Sequence, residues 1–145
     1  MPPISRQQVS RAIAQLMPNI IRGVQLDVFA KRRVTQTQFL VVIAIHAYGR
    51  CTMGTLARSL HVSMPTTTGV VNRLVQSGLV RRFPHPEDRR QVVVELTAKG
   101  QAFILQVQQA IRRRWEEVLK ALAPRELEAF YHVVNRLREQ LQPNR

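Results

Sequence analysis

Residues 55–82 read TLARSLHVSMPTTTGVVNRLVQSGLVRR, and their spacing sets two short helices end to end. Thr52, just upstream, stands as an N-cap, and Met53, Leu56, Ala57 and Leu60 follow at helical intervals over about two turns. His61 and Val62 make a short turn. Ser63 then caps a second helix over residues 64–77, with Val70, Val71 and Leu74 inward and Gly78 as its stop. Pro65 falls in the first turn, where its missing N–H costs nothing. Two strands follow, over residues 79–83 and 91–96; the second alternates Val92, Val94 and Leu96 against Gln91, Val93 and Glu95. The loop between them, PHPEDRR, is rich in proline and charge.

Two helices joined by a tight turn and followed at once by a β-hairpin make a winged helix-turn-helix. The expected fold class is mainly α with a small β-hairpin. An α-helix fills the major groove of B-DNA, its first residues reach base edges, and its N-terminus favours phosphate. Ser63, Met64, Pro65, Thr66, Thr67, Thr68, Asn72 and Arg73 supply hydroxyls, apolar groups of thymine-methyl size, an amide and a guanidinium for that task. At the hairpin tip stand Asp88, Arg89 and Arg90. Arginine there is drawn to the negative potential of a narrow minor groove. Each residue also has a plainer reading. The three threonines satisfy free N–H groups in any first helical turn. Asp88 is a good turn-former that accepts backbone hydrogen bonds. Arg81 and Arg82 alternate faces on the strand, so one of them could merely line solvent.

Charge points the same way. The 145 residues hold 22 Lys+Arg against 9 Asp+Glu, a net charge of +13, and 19 of the 22 are arginine. With a sequence pI near 11.7, the chain should attract polyanions, meaning nucleic acid or an anionic membrane surface. Arginine suits bidentate contacts to phosphate and guanine. One cysteine, Cys51, excludes an internal disulfide framework and suits a reducing compartment. No apolar leader opens the N-terminus and no run of 18 apolar residues occurs, so a cytoplasmic protein without membrane contact is expected. His46, His61, His85 and His132 lack metal-ligand spacing. Without a nucleophile motif, a phosphate-cradling glycine loop or clustered carboxylates, no enzyme activity, metal or cofactor is expected.

Outside the reading unit the chain is helical. Apolar residues at Val9, Ile13, Leu16, Ile20 and Val24 stripe a first helix over residues 4–30, which Pro18 should kink or restart; Lys31, Arg32 and Arg33 follow as a basic turn. Thr35 opens a helix ended by Gly49 that is apolar nearly all round, so burial on several sides is expected. Thr97 caps a long helix over residues 98–122. Ala123-Pro124 breaks it before a last helix striped with Leu127, Phe130, Val134, Leu137 and Leu141. The terminal stripes exceed what a small helix-turn-helix core can cover, which implies a homodimer. The chain therefore reads as one domain, 1–145. Residues 1–34 and 101–145 are its dimerisation helices and 35–100 its winged helix-turn-helix.

Three segments closely resemble the MarR (multiple antibiotic resistance regulator) family of bacterial transcription factors: VTQTQF, the reading unit quoted above, and PEDRRQVVVELTAKG at residues 86–100. The resemblance implies a triangular homodimer on a pseudo-palindromic double-stranded DNA operator, usually a repressor released by a small phenolic or anionic ligand. It also implies that Asp88 braces the wing and Arg90 enters the minor groove. A ligand pocket is expected near the second helix and the start of the long one, walled by the apolar run over residues 39–45, with His46 a candidate to receive an anionic group. The peroxide-sensing branch carries its reactive cysteine in the first helix; Cys51 lies elsewhere and reads as a buried thiol. Two rivals remain: a winged-helix protein-interaction module, and a weakly specific architectural DNA binder. The arginines around the wing speak against the first, the capped, threonine-rich helix against the second.

Overall fold

Serine and threonine caps set where the helices begin. The computed structural model describes residues 3–25, 28 and 33–141. Helix α1 (Arg6–Val24) starts at Ser5, whose hydroxyl accepts the Gln8 N–H while the Gln8 side chain accepts the Ser5 N–H, a capping box. Thr35 and Gln38 repeat the arrangement for α2 (Gln36–Tyr48). Strand β1 (Arg50–Thr52) ends on the residue that caps α3 (Met53–Leu60), and Ser63 caps α4 (Met64–Gln76). The hairpin β2 (Val80–Pro84) and β3 (Val92–Leu96) leads to Thr97, the cap of α5 (Ala98–Leu119), and α6 (Pro124–Leu141) closes the order.

Several boundaries differ from those expected, each for a local reason. The hairpin starts one residue late because the Leu79 N–H is taken by the Leu74 carbonyl at 3.0 Å, part of the termination of α4 around Gly78 at φ 75°. The hairpin is also not alone. Arg50–Thr52 adds a third strand, in the order β1-β3-β2, all antiparallel. Central in that sheet, β3 buries both Val93 and Val94 rather than alternating cleanly. Pro18 does not restart α1, which runs through it. The carbonyl of Ala14, robbed of its partner, lies on an exposed stretch where water can serve it. Helix α5 ends at Leu119 because tight turns at Ala121 and Leu122 precede Ala123, which Pro124 biases away from helical geometry. Of the expected continuation of α1 to Ala30, with Lys31 and Arg32, only Gln25 and Val28 are among the described residues.

The core gathers between α2, α3, α4, the sheet and α5. Val42, Ile45, Leu56, Val71, Val94 and Phe103 are all at or below 1% exposure. Helix α2 is not buried all round as its composition suggests: Val41, Val42 and Ile45 face the core, while Leu40 and Ile43 stay exposed. Helix α6 buries none of its residues.

One cross-strand rung ties the sheet together. Arg50 of β1 and Arg81 of β2 lie directly opposite Glu95 of β3, and both guanidiniums pair with its carboxylate; Arg50 Nη2 is 2.8 Å from it. The Phe83 ring lies under both, 5.1 and 6.0 Å from the two guanidinium carbons. The Arg50 hydrogen bond, and secondarily Arg81, hold the Glu95 carboxyl below its ordinary value. A depressed carboxylate contributes stability above its unfolded value, about 4.3, and that contribution is lost as pH falls through the native value. Glu95→Gln should therefore melt below the parent at pH 7, and the gap between the two should close as melts are taken down from about pH 4.3. An unchanged gap at pH 3 would contradict this.

A second device locks the sheet to α5. A Cβ added at Gly100 would stand 2.1 Å from the Leu79 carbonyl oxygen. That oxygen already accepts the Thr97 N–H at 3.1 Å. Backbone cannot retreat as a flexible side chain would, so Gly100→Ala should cost about 1–3 kcal/mol in denaturant titrations.

Candidate nucleic-acid interface

Helix α4 has one buried face and one open face, and the buried one is set by Thr67, Val71 and Leu74, at 0%, 0% and 1% exposure. Thr67 therefore does not belong to the reading surface expected of it. Its hydroxyl donates to the Ser63 carbonyl at 2.9 Å, and that carbonyl also accepts the Thr67 N–H. A buried hydroxyl needs such a partner. Ser63 Oγ accepts the Thr66 N–H at 3.3 Å and shares a 2.8 Å hydrogen bond with the Thr66 hydroxyl, so these two serve the helix start itself. Met64, Pro65 and Arg73 stand exposed; Thr68 and Asn72 are half-buried. Asn72 Oδ1 accepts a hydrogen bond from Arg82 Nη1 at 2.6 Å, joining the reading helix to the wing.

The wing tip is closed by its own short-range bonds. The Asp88 carboxylate accepts the Arg90 N–H and the Gln91 side-chain amide, both at 3.1 Å, and the Asp88 carbonyl accepts the Gln91 N–H at 2.9 Å. The His85 N–H donates to the Gln91 carbonyl at 2.9 Å, and His85 Nδ1 accepts the Glu87 N–H at 3.2 Å. The Gln91 amide first, then the Arg90 N–H, hold the Asp88 carboxyl below its ordinary value. Asp88 thus spends its charge on the loop, forming no ion pair with an arginine among the described residues. Both Arg89 and Arg90 stay exposed.

Between α4 and the wing opens a groove of about 420 Å³, lined by Arg58, Met64, Thr68, Arg82, Arg90 and Gln91 among others. Among the described residues no carboxylate lines it. Arg90 and Arg82 face this groove, whereas Arg81 is committed to Glu95, so neither strand arginine merely lines solvent. Arg58, Arg82 and Gln91 line this groove without being among the contacts expected from the sequence. Arg58 falls off the Met53, Leu56, Ala57 stripe and so had to lie on the open side of α3, but only the fold turns that side toward the wing.

Cys51 is buried in β1, and burial pushes its thiol up, away from the reactive thiolate. An apolar pocket of about 270 Å³ lies between α1, α2 and α5, lined by Met17, Ile20, Val24, Phe39, Val107 and Trp115 among others. His46 is not among its walls: it sits exposed in the last turn of α2, while the pocket meets the first turns. No described helix is long and apolar enough to cross a membrane.

The chain is similar to known proteins over most of its length. The MarR family profile matches residues 34–92. The multiple antibiotic resistance protein MarR of Escherichia coli is 30% identical over 105 residues, 72% of this chain and 73% of that one. For the first curated relatives found, the matched segments span between 46% and 63% of their lengths. A transcriptional regulator from Thermotoga maritima, Tm0710, superposes with a TM-score of 0.85 at 24% identity, over 94% of this chain and 96% of that one. A cysteine-to-serine mutant of Escherichia coli MarR, solved with operator DNA, superposes with a TM-score of 0.59 at 27% identity over 89% and 92% of the two chains. The profile spans the helix-turn-helix and the wing tip described above, the likeness extends into the flanking helices, and the chain belongs to the MarR family of transcriptional regulators.

Proposed function

We propose that the chain is a sequence-specific DNA-binding regulator of transcription in the cytoplasm, a homodimeric repressor of a pseudo-palindromic operator released by a small aromatic or anionic effector. One observation carries the DNA-binding part: the open face of α4 and the wing's Arg90 look onto a single groove lined, among the described residues, by three arginines and no carboxylate. An unneutralised cationic groove beside a capped helix N-terminus suits a phosphate backbone. In this reading Met64, Thr68, Asn72 and Arg73 meet base edges or phosphates in the major groove, Arg90 enters the neighbouring minor groove, and Arg89 meets phosphate. Asp88 is a positioning residue that keeps the wing ordered before DNA arrives.

The homodimer is supported by surfaces at the two ends of the chain. Val9, Ile13 and Leu16 on α1 and Leu127, Phe130, Val134 and Leu137 on α6 are between 38% and 50% exposed. An amphipathic helix with nothing on its apolar side gains little from folding alone, and a second copy of the same stripes is the partner that closes symmetrically. Two copies would set their reading helices roughly 34 Å apart, one turn of DNA.

Effector release is supported by the apolar pocket. Its volume of about 270 Å³ and its Phe39, Val107 and Trp115 walls suit an aromatic ring, and an occupant favours whichever spacing of α1 and α5 admits it. Helix α5 is fastened to the end of α4: Lys99 Nζ donates to the Ser77 carbonyl at 2.6 Å and Thr97 Oγ1 to the Gly78 carbonyl at 2.5 Å. A shift of α5 therefore reaches the reading helix.

Binding isotherms on a duplex selected from a random pool test the reading. Arg90→Ala should weaken that duplex about tenfold or more, roughly 1.4 kcal/mol, with melting temperature and oligomeric state unchanged. Asp88→Ala should copy much of that loss. Equal affinity of Arg90→Ala and parent would remove the wing from the interface. Sedimentation at micromolar concentration should give a dimer, and a stable monomer would overturn that part.

A further inference from the structure

The groove between α4 and the wing has a geometric consequence for what occupies it. A helix in a major groove and a loop in the next minor groove are separated by one phosphodiester strand, which must pass between them. We propose that this groove seats that strand, and that Arg58 of α3 and Arg82 of β2 grip its phosphates from opposite walls, beyond the minor-groove contact of Arg90. The inference rests on the DNA-binding reading above and adds to it two residues and the strand they hold.

The placement of charge supports it. On β2, Arg81 and Arg82 point to opposite faces, and among the described residues only Arg81 meets a carboxylate: Glu95 takes both Arg81 and Arg50. Arg82 is steered instead by a neutral acceptor, Asn72 Oδ1, which aims the guanidinium at the groove without cancelling its charge. Arg58 makes only a long 3.4 Å contact to the Thr55 hydroxyl. The two guanidiniums face the same opening from separate elements, with Thr68 and Gln91 as additional donors between them. Gly54 completes the α3 wall, and with no side chain there the space beside Arg58 stays open. With 22 basic residues to 9 acidic ones, many arginines must lack a carboxylate; what sets Arg58 and Arg82 apart is that they line one groove from separate elements.

Phosphate contacts have a signature that base contacts lack: they release counterions, so each one adds about 0.9 to the slope of log affinity against log salt, whatever the sequence. The test measures binding at 50 to 200 mM salt for parent, Arg58→Ala, Arg82→Gln, Arg58→Lys and Arg138→Ala, on a selected and a random duplex. Arg138, on the exposed face of α6, controls for the overall field. Arg58→Ala and Arg82→Gln should each flatten the slope by about 0.9 per protomer, so that the fall in affinity across that range shrinks about 3.5-fold for each phosphate no longer neutralised. The change should be the same on both duplexes. Arg58→Lys, which keeps a charge that can meet phosphate, should restore the parental slope, and Arg138→Ala should match the parent. Parental slopes for Arg58→Ala and Arg82→Gln would overturn the seat while leaving DNA binding standing, and so would an equal flattening by Arg138→Ala. Failure of the parent to bind either duplex would instead overturn the DNA-binding reading, and the seat with it.

Discussion

The burial of Thr67, Val71 and Leu74 on one side of α4 is the constraint from which the reading surface follows. At 100° per residue, three positions held against the core fix the rotation of the whole helix. Met64 and Thr68 then turn toward the wing, and Arg73 to the outside. A buried threonine hydroxyl without a partner would cost about 1–3 kcal/mol. Ser63 prevents that cost with its carbonyl while its own hydroxyl caps the helix. One residue therefore starts the helix and satisfies its only buried polar side chain among the described residues.

Segregation of charge does for the wing what rotation does for the helix. Two acidic groups near the wing are spent on structure: Glu95 pairs with the two arginines across from it, and Asp88 ties the loop, while Glu87 stands exposed at its tip. Of Arg81, Arg82, Arg89 and Arg90, only Arg81 meets a carboxylate among the described residues. The face toward α4 is left with uncompensated guanidiniums at fixed positions, which is the arrangement a polyanion rewards. Strand β1 adds to that division, since its Arg50 is a second cation on Glu95 and the larger cause of its lowered carboxyl.

How much of this could be read in advance depended on the range of the interaction. Caps at Thr52, Ser63 and Thr97, the inward faces of α3 and α4, and the hairpin with its arginine tip are local patterns, and residues 52–97 state them openly. Strand β1 is three residues long and has no period to detect; only pairing with β3, more than forty positions away, makes it a strand. Thr67 is indistinguishable from Thr66 and Thr68 by chemistry, and only its place one turn before Val71 separates them. The place of Arg58 beside the wing, and the absence of His46 from the apolar pocket, are facts of tertiary arrangement that no spacing within α3 or α2 encodes.

The central claim is that the open face of α4 and the wing loop together form the surface that meets DNA. Amide hydrogen exchange, with and without a duplex the protein itself selects from a random pool, tests it most directly. The expected result is new protection concentrated at the start of α4 and in residues 85–92, with α6 unchanged. Protection confined to α1 and α6, with the wing loop exchanging as fast as in the free protein, would contradict it.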